Sequence, residues 1–166
     1  SDPSMLLINQ GAPNYDFVNK REELGIVFDE GDVNAAFGDF DNDGDLDLAI
    51  ATLYQGHYSK LYRNDGAAGF VDVSYETGTA VHDAVSVVWS DVDGDGDLDL
   101  LIADRDGAPA VQLFVNRVGH KRQWVQLVLE GTTSNRLAYG ARVVVEAGGI
   151  TQTRDVYGGG GHSSTQ

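Results

Sequence analysis

The chain has 166 residues, 42% of them apolar, a net charge of −15 and no cysteine. That length suits one ordinary domain or two small ones around a packed core. The acidic charge argues against nucleic acid and anionic membrane surfaces. The missing cysteines exclude disulfides, thiolate metal sites and thiol nucleophiles, and no apolar run nears the ~18 residues of a membrane span.

In chain order, the opening SDPSMLLINQ lacks the basic and apolar regions of a signal peptide. It reads as a non-native scar before Met5. Leu6 to Asn9 is a first short strand, Asn9-Gln10-Gly11 has turn chemistry, and Phe17-Val18 begins a second strand. Ala35-Ala36-Phe37 is an apolar strand that runs into Asp39 to Ile50, DFDNDGDLDLAI. There Asp39, Asp41, Asp43, Asp45 and Asp47 occupy every second position. Leu46, Leu48 and Ile50 then alternate with Asp45, Asp47 and Ala49, which predicts a half-buried strand leaving the loop. Leu61 to Asn64, the turn Asn64-Asp65-Gly66 and Phe70-Val71 follow.

The pattern then returns with an offset of 52 residues: Val87-Val88-Trp89, the run Asp91 to Ile102 (DVDGDGDLDLLI), and Leu113 to Asn116. Short Val-, Leu-, Tyr- and Phe-rich segments separated by Gly, Asn and Asp show no sustained helical period. The repeated unit reads strand, Asn-Gly turn, strand, longer loop, apolar strand, aspartate loop, strand. Two such units precede Val118, with the first strand of a third. About four strands per unit of ~50 residues is the signature of a propeller blade. The expected fold is all-β: two propeller-type blades plus a small C-terminal β domain.

Five like charges in nine residues repel unless a cation sits among them. With Asp39 or Asp91 as position 1, carboxylates fall at positions 3, 5, 7 and 9. Gly44 and Gly96 at position 6 permit a sharp turn, and position 7 can offer its carbonyl. All-oxygen donors suit Ca2+, and the absence of His and Cys disfavours zinc and copper. Position 12 is Ile50 or Ile102 rather than the Glu of an EF-hand. A metal-free Asx-type turn is the alternative. The candidate ligands are Asp39, Asp41, Asp43, Asp45 and Asp47 in the first loop and Asp91, Asp93, Asp95, Asp97 and Asp99 in the second, for two Ca2+ ions.

From Met5 to Asn116 the sequence resembles the FG-GAP (VCBS) repeats of integrin α-subunit propellers and many bacterial secreted proteins. Phe37-Gly38 and Gly107-Ala108-Pro109 supply part of the family's name letters. The resemblance implies that positions 1, 3, 5 and 9 ligate through side chains and position 7 through its carbonyl.

Charge changes along the chain. Residues 1–118 hold 6 Lys and Arg against 23 Asp and Glu, and residues 119–166 hold 5 against 3, which predicts a boundary near Val118. Beyond it, Trp124 to Leu129 alternates like a strand, and Arg142–Ala147 with Ile150–Val156 reads as a hairpin around Gly148-Gly149. Ser134-Asn135-Arg136, Gly140-Ala141-Arg142 and the run Gly158 to Gly161 before His162-Ser163-Ser164 are similar to the ASPIC/UnbV domain. That domain follows FG-GAP repeats in proteins resembling cartilage acidic protein. The family continues with a further strand, and this chain stops at Gln166, so the domain is expected to be incomplete or to take its last strand from elsewhere.

Catalysis is not expected. The clustered carboxylates are committed to metal, and His57, His82, His120 and His162 share no spacing. The Gly158–Gly161 run has neither a G-x-S-x-G elbow nor a phosphate-loop Lys. His120-Lys121-Arg122 reads as a solvated linker. The expected function is a calcium-binding extracellular or secreted (or periplasmic) interaction and adhesion module with a protein or glycan partner. The alternatives are a non-catalytic, carbohydrate-directed ancillary part of a larger secreted enzyme and, more remotely, a metal-dependent hydrolase. Two blades would leave apolar faces open, so a piece of a larger propeller or a homo-oligomer is expected.

Overall fold

The computed structural model describes residues 4–27, 31–54, 56–105, 110–117, 125, 127–133 and 135–156. Eleven strands run through these residues: β1 (Leu7–Asn9), β2 (Phe17–Asn19), β3 (Asp32–Gly38), β4 (Asp47–Thr52), β5 (Lys60–Asn64), β6 (Phe70–Asp72), β7 (Ala84–Ser90), β8 (Asp99–Asp104), β9 (Val111–Phe114), β10 (Arg142–Ala147) and β11 (Ile150–Asp155). Helix among these residues is limited to one α-helical turn, α1 (Ser74–Thr77), and a 3-10 turn at Gly66–Ala68. Among the described residues the architecture is all-β, in several antiparallel sheets with no closed barrel, consistent with propeller-type blades.

The sequence repeat is present in the backbone. β7 starts and ends at the positions that the repeat offset pairs with the ends of β3, and β8 does the same with β4. The sheets, however, divide the strands differently from the sequence unit. β3-β4-β5-β6 form one four-stranded sheet, β7-β8-β9 a three-stranded one, and β1-β2 a separate pair. A sheet therefore starts at the strand before the aspartate loop, not at the Asn-Gly hairpin. The reason is pairing. Leu48 lies opposite Tyr62 and Ile50 opposite Lys60 in β4–β5, and Tyr62 lies opposite Asp72 in β5–β6. The hairpin thus completes the sheet of the strands that precede it.

The chain forms two compact units. The first comprises Ser1–Phe37, Asp47–Val87 and Ile102–Gln112, the second Gly38–Leu46, Val88–Leu101 and Leu113–Gln166. In the first unit, Ile26, Leu48, Ile50 and Tyr62 make a buried cluster with Leu6 and Phe70 packed against it. Burying each such side chain stabilises by about 1.5–3 kcal/mol. The Tyr62 hydroxyl stays satisfied within this cluster by accepting the Val27 N–H at 3.2 Å. β4 corrects the expectation of a half-buried strand, because it is buried along its whole length. It lies between β3 and β5, and its second face carries Ala49 and Ala51, small enough to be covered.

In the second unit, Phe40 and Trp89 stack with ring centroids 6.1 Å apart and planes inclined by 2°. Gly38 makes room for this stack, since a Cβ there would meet Trp89 Cδ1 at 2.7 Å and a Leu98 methyl at 2.9 Å. The expected C-terminal hairpin is present as β10–β11, in register from Arg142 opposite Asp155 to Ala147 opposite Ile150. Gly148 (φ 59°) and Gly149 (φ 84°) supply the two positive φ values of a tight hairpin turn. The expected strand from Trp124 to Leu129 is corrected: Val125 and Leu127–Leu129 adopt no strand, and Val128 is 91% exposed. An alternating pattern becomes a strand only by pairing, and no described strand pairs with it. Trp124, Gln126, Ser134, the Gly107–Pro109 letters, the His120–Arg122 cluster and the Gly158–Gly161 run lie outside the described residues.

Candidate metal centre

Each aspartate loop is curled by bonds from its own backbone. In the first, Asp39 Oδ1 accepts the Asp43 N–H at 3.0 Å and Oδ2 accepts the Gly44 N–H at 3.1 Å. Asp41 Oδ1 also accepts the Asp43 N–H (3.1 Å), and Asp43 Oδ1 accepts the Asp45 N–H (2.9 Å). The second loop follows a similar scheme, with position 4 rather than position 5 as the first donor to position 1. Asp91 accepts from Gly94 (2.8 Å) and Gly96 (3.1 Å), Asp93 from Asp95 (3.2 Å), and Asp95 from Asp97 (3.0 Å). These Asx-type turns need left-handed backbone at positions 4 and 6. Asn42 (φ 57°) and Gly44 (φ 101°) provide it in the first loop, and Gly94 (φ 77°) and Gly96 (φ 92°) in the second.

The curl gathers charge. Asp39, Asp41 and Asp43 each place a carboxylate oxygen within 4.8 Å of the others, as do Asp91, Asp93 and Asp99. Each group could hold a metal ion, and the donors are all hard oxygens. Burial first, and charge crowding second, act on the protonation equilibria. Burial pushes the Asp39 carboxyl above its ordinary value and the Asp43 charge adds to this, while the Gly44 N–H and the Arg154 guanidinium oppose it. Asp93 is likewise pushed up, by desolvation and by the charges of Asp95 and Asp99. A cation among the oxygens relieves both effects.

The other candidate side chains make further contacts. Asp45 is exposed. Asp97 is buried, and its Oδ1 accepts from the Asn42 side chain at 2.8 Å, so position 7 of one loop is tied to position 4 of the other. Asp47 and Asp99, both buried at position 9, do the same structural work in the two copies. Asp47 Oδ1 accepts the Asn64 N–H and Asp99 Oδ1 the Asn116 N–H, each at 2.8 Å. Asp99 Oδ2 also accepts the Val92 N–H at 2.9 Å. Position 9 therefore anchors the far end of the following strand in each copy, and in the second loop it belongs to the oxygen group as well.

Three residues that sequence reasoning did not place in the site belong to it. Asn42 joins the loops. Asn116 donates its side-chain amide to the Phe40 carbonyl (2.6 Å) and the Leu98 carbonyl (3.1 Å), binding both loops to one strand end. The repeat register pairs Asn64 with Asn116, which is the signal that could have found this role. Arg154 on β11 approaches Asp39 Oδ2 at 3.4 Å, and nothing in the sequence marked it. Of the histidines, His82 is exposed and packs against Tyr58 with ring centroids 3.9 Å apart and planes tilted by 44°.

Among the described residues no helix is long and apolar enough to cross a membrane. A comparison with curated proteins finds no match. Two family models do match: the FG-GAP-like repeat over residues 39–102 and ASPIC and UnbV over residues 131–166. The first match covers both aspartate loops and the second covers the β10–β11 hairpin, so the chain carries an FG-GAP-like repeat segment followed by an ASPIC and UnbV segment.

Proposed function

We propose that this protein is a calcium-stabilised extracellular interaction module, with Ca2+ held structurally at both aspartate loops and no catalysis of its own. The observation that carries this reading is the pair of oxygen groups, Asp39/Asp41/Asp43 and Asp91/Asp93/Asp99, built by equivalent loops of the repeat. Carboxylate and carbonyl oxygens on a curled loop suit Ca2+, which takes six to eight oxygen ligands, better than Mg2+, which keeps several waters. Carboxylates committed to a divalent cation stay ionised and do not serve as general acids. Free calcium at extracellular levels matches weak loop sites of this kind, which supports a location outside the cytoplasm. For a protein or glycan partner, the first unit offers the neighbouring rings of Tyr58, Tyr75 and His82, of which Tyr75 and His82 are exposed.

Ligand that binds only the folded state stabilises by about 2.7 kcal/mol per site at a hundredfold excess over Kd. Thermal melts in millimolar Ca2+ and in excess chelator test the reading. Chelation is expected to lower Tm by several degrees, and Asp43→Ala or Asp93→Ala to remove part of the calcium response, one loop at a time. Superimposable curves with and without Ca2+ would sink it.

A further inference from the structure

The two loops have similar backbone schemes but different electrostatic settings. Asp39 at position 1 of the first loop is 4% exposed, and the Arg154 guanidinium lies 3.4 Å from its Oδ2 at 29% exposure. Arg154 comes from β11, inside the ASPIC and UnbV segment, 115 residues along the chain. In the second loop, no described lysine or arginine pairs with Asp91, Asp93 or Asp99, whose hydrogen bonds come from backbone N–H groups. Among the described residues, one oxygen cluster therefore already has a tethered cation beside its position-1 carboxylate, and the other has none.

We propose that Arg154 sets the metal affinity of the first loop below that of the second, so that the two loops fill in order and loading the first displaces the β11 arginine from Asp39. This rests on the metal reading above. The physical argument is competition. A divalent cation gains from Asp39 only after giving up that carboxylate's attraction to Arg154, or after accepting a second positive charge about 3–4 Å from the same oxygen. The Gly44 N–H already occupies Asp39 Oδ2 at 3.1 Å, so the arginine and an entering cation share what remains of that oxygen. A partly exposed guanidinium–carboxylate pair is worth enough to change affinity about two- to fivefold. The contact also gives the ASPIC and UnbV hairpin a role toward the repeat, because β11 is held to the first loop by the charge that metal would replace.

The test is a titration of the full chain with Tb3+, a luminescent stand-in for Ca2+, excited through Trp89, whose ring stacks on Phe40 of the first loop. Two binding steps are expected. Asp39→Asn should remove the weaker and Asp91→Asn the tighter. Arg154→Gln, which keeps a hydrogen-bonding group on a shorter side chain but not the charge, should tighten the weaker step about two- to fivefold and leave the other unchanged. Arg142→Gln is the control, since it removes the same charge from the hairpin's own pair with Asp155 (2.7 Å), and should shift neither step. An Arg154→Gln protein whose weaker step is unchanged or looser overturns the proposal alone, as does an Arg142→Gln protein that reproduces the tightening. Absence of saturable Tb3+ binding in the unsubstituted chain overturns the metal reading and the proposal together.

Discussion

At the scale of single residues, the aspartates of the loops are not equivalent, and their surroundings predict which substitutions matter without metal. Asp99 is buried and accepts the Asn116 and Val92 N–H groups. Leaving such donors unsatisfied costs about 1–3 kcal/mol. Asp99→Ala is therefore expected to lower stability by that amount in urea unfolding even in chelator, whereas exposed Asp45→Ala should stay within about 0.5 kcal/mol. Equal effects of the two would refute the anchoring role. Asp72 gives a pH signature. Burial acts to raise its carboxyl, but the Ser74 hydroxyl and N–H and the Lys60 ammonium outweigh it and hold the value below 3.8. A depressed folded value means stability that is present above 3.8 and is lost as pH falls through the folded value. Because the Lys60–Asp72 pair at 3.0 Å is partly exposed, the contribution is about 0.5–1 kcal/mol. Asp72→Asn should lower Tm at pH 7, and the gap should close as acid protonates Asp72 in the parent chain. A gap that persists unchanged at pH 2 would contradict this.

At the scale of elements, the position of Gly38 at the end of β3 decides how the first loop begins. Its φ is not the reason for glycine. The reason is the Trp89 ring, whose Cδ1 and Cγ would lie 2.7 and 2.8 Å from an added Cβ. The equivalent position in the second copy of the repeat is Ser90 at the end of β7, where a side chain is accommodated. Gly38→Ala is expected to displace the Phe40–Trp89 stack and destabilise by about 1–3 kcal/mol, read as a lower denaturant midpoint and altered tryptophan emission. Ser90→Ala should leave both nearly unchanged. If the two alanine variants behaved alike, the packing account of Gly38 would be wrong.

At the scale of the whole molecule, apolar surface remains uncovered in the first unit. Phe37 on β3 is 50% exposed and Phe17 on β2 is 61% exposed. A cavity of about 300 Å3 lies in this unit, lined by Met5, Leu6, Val33, Phe37, Leu48 and Ile50 among others. Blades gain stability by covering one another's faces, so we expect the chain to self-associate. Light scattering coupled to size exclusion in millimolar Ca2+ should give a mass above the 17.8 kDa of one chain. A monomer that resists both concentration and dilution would show that this surface needs no cover.

The strands around the loops, the repeat and its offset, the Gly148-Gly149 hairpin and the two aspartate runs were all legible in the sequence, because each depends on local chemistry. Alternation marks a pleated strand, glycine marks a positive φ, and five carboxylates in nine residues mark a curled loop. Tertiary structure alone decided the rest. It assigned β3 to β6 to one sheet and left Val125 and Leu127–Leu129 out of any strand, because pairing partners are set by distant segments. It turned position 9 into an anchor for Asn64 and Asn116 and joined Asn42 to Asp97. It brought Arg154 to Asp39 across 115 residues. Hydrogen bonds and charges act through space over a few ångströms, and a linear pattern carries no record of which distant residues folding will place within that range.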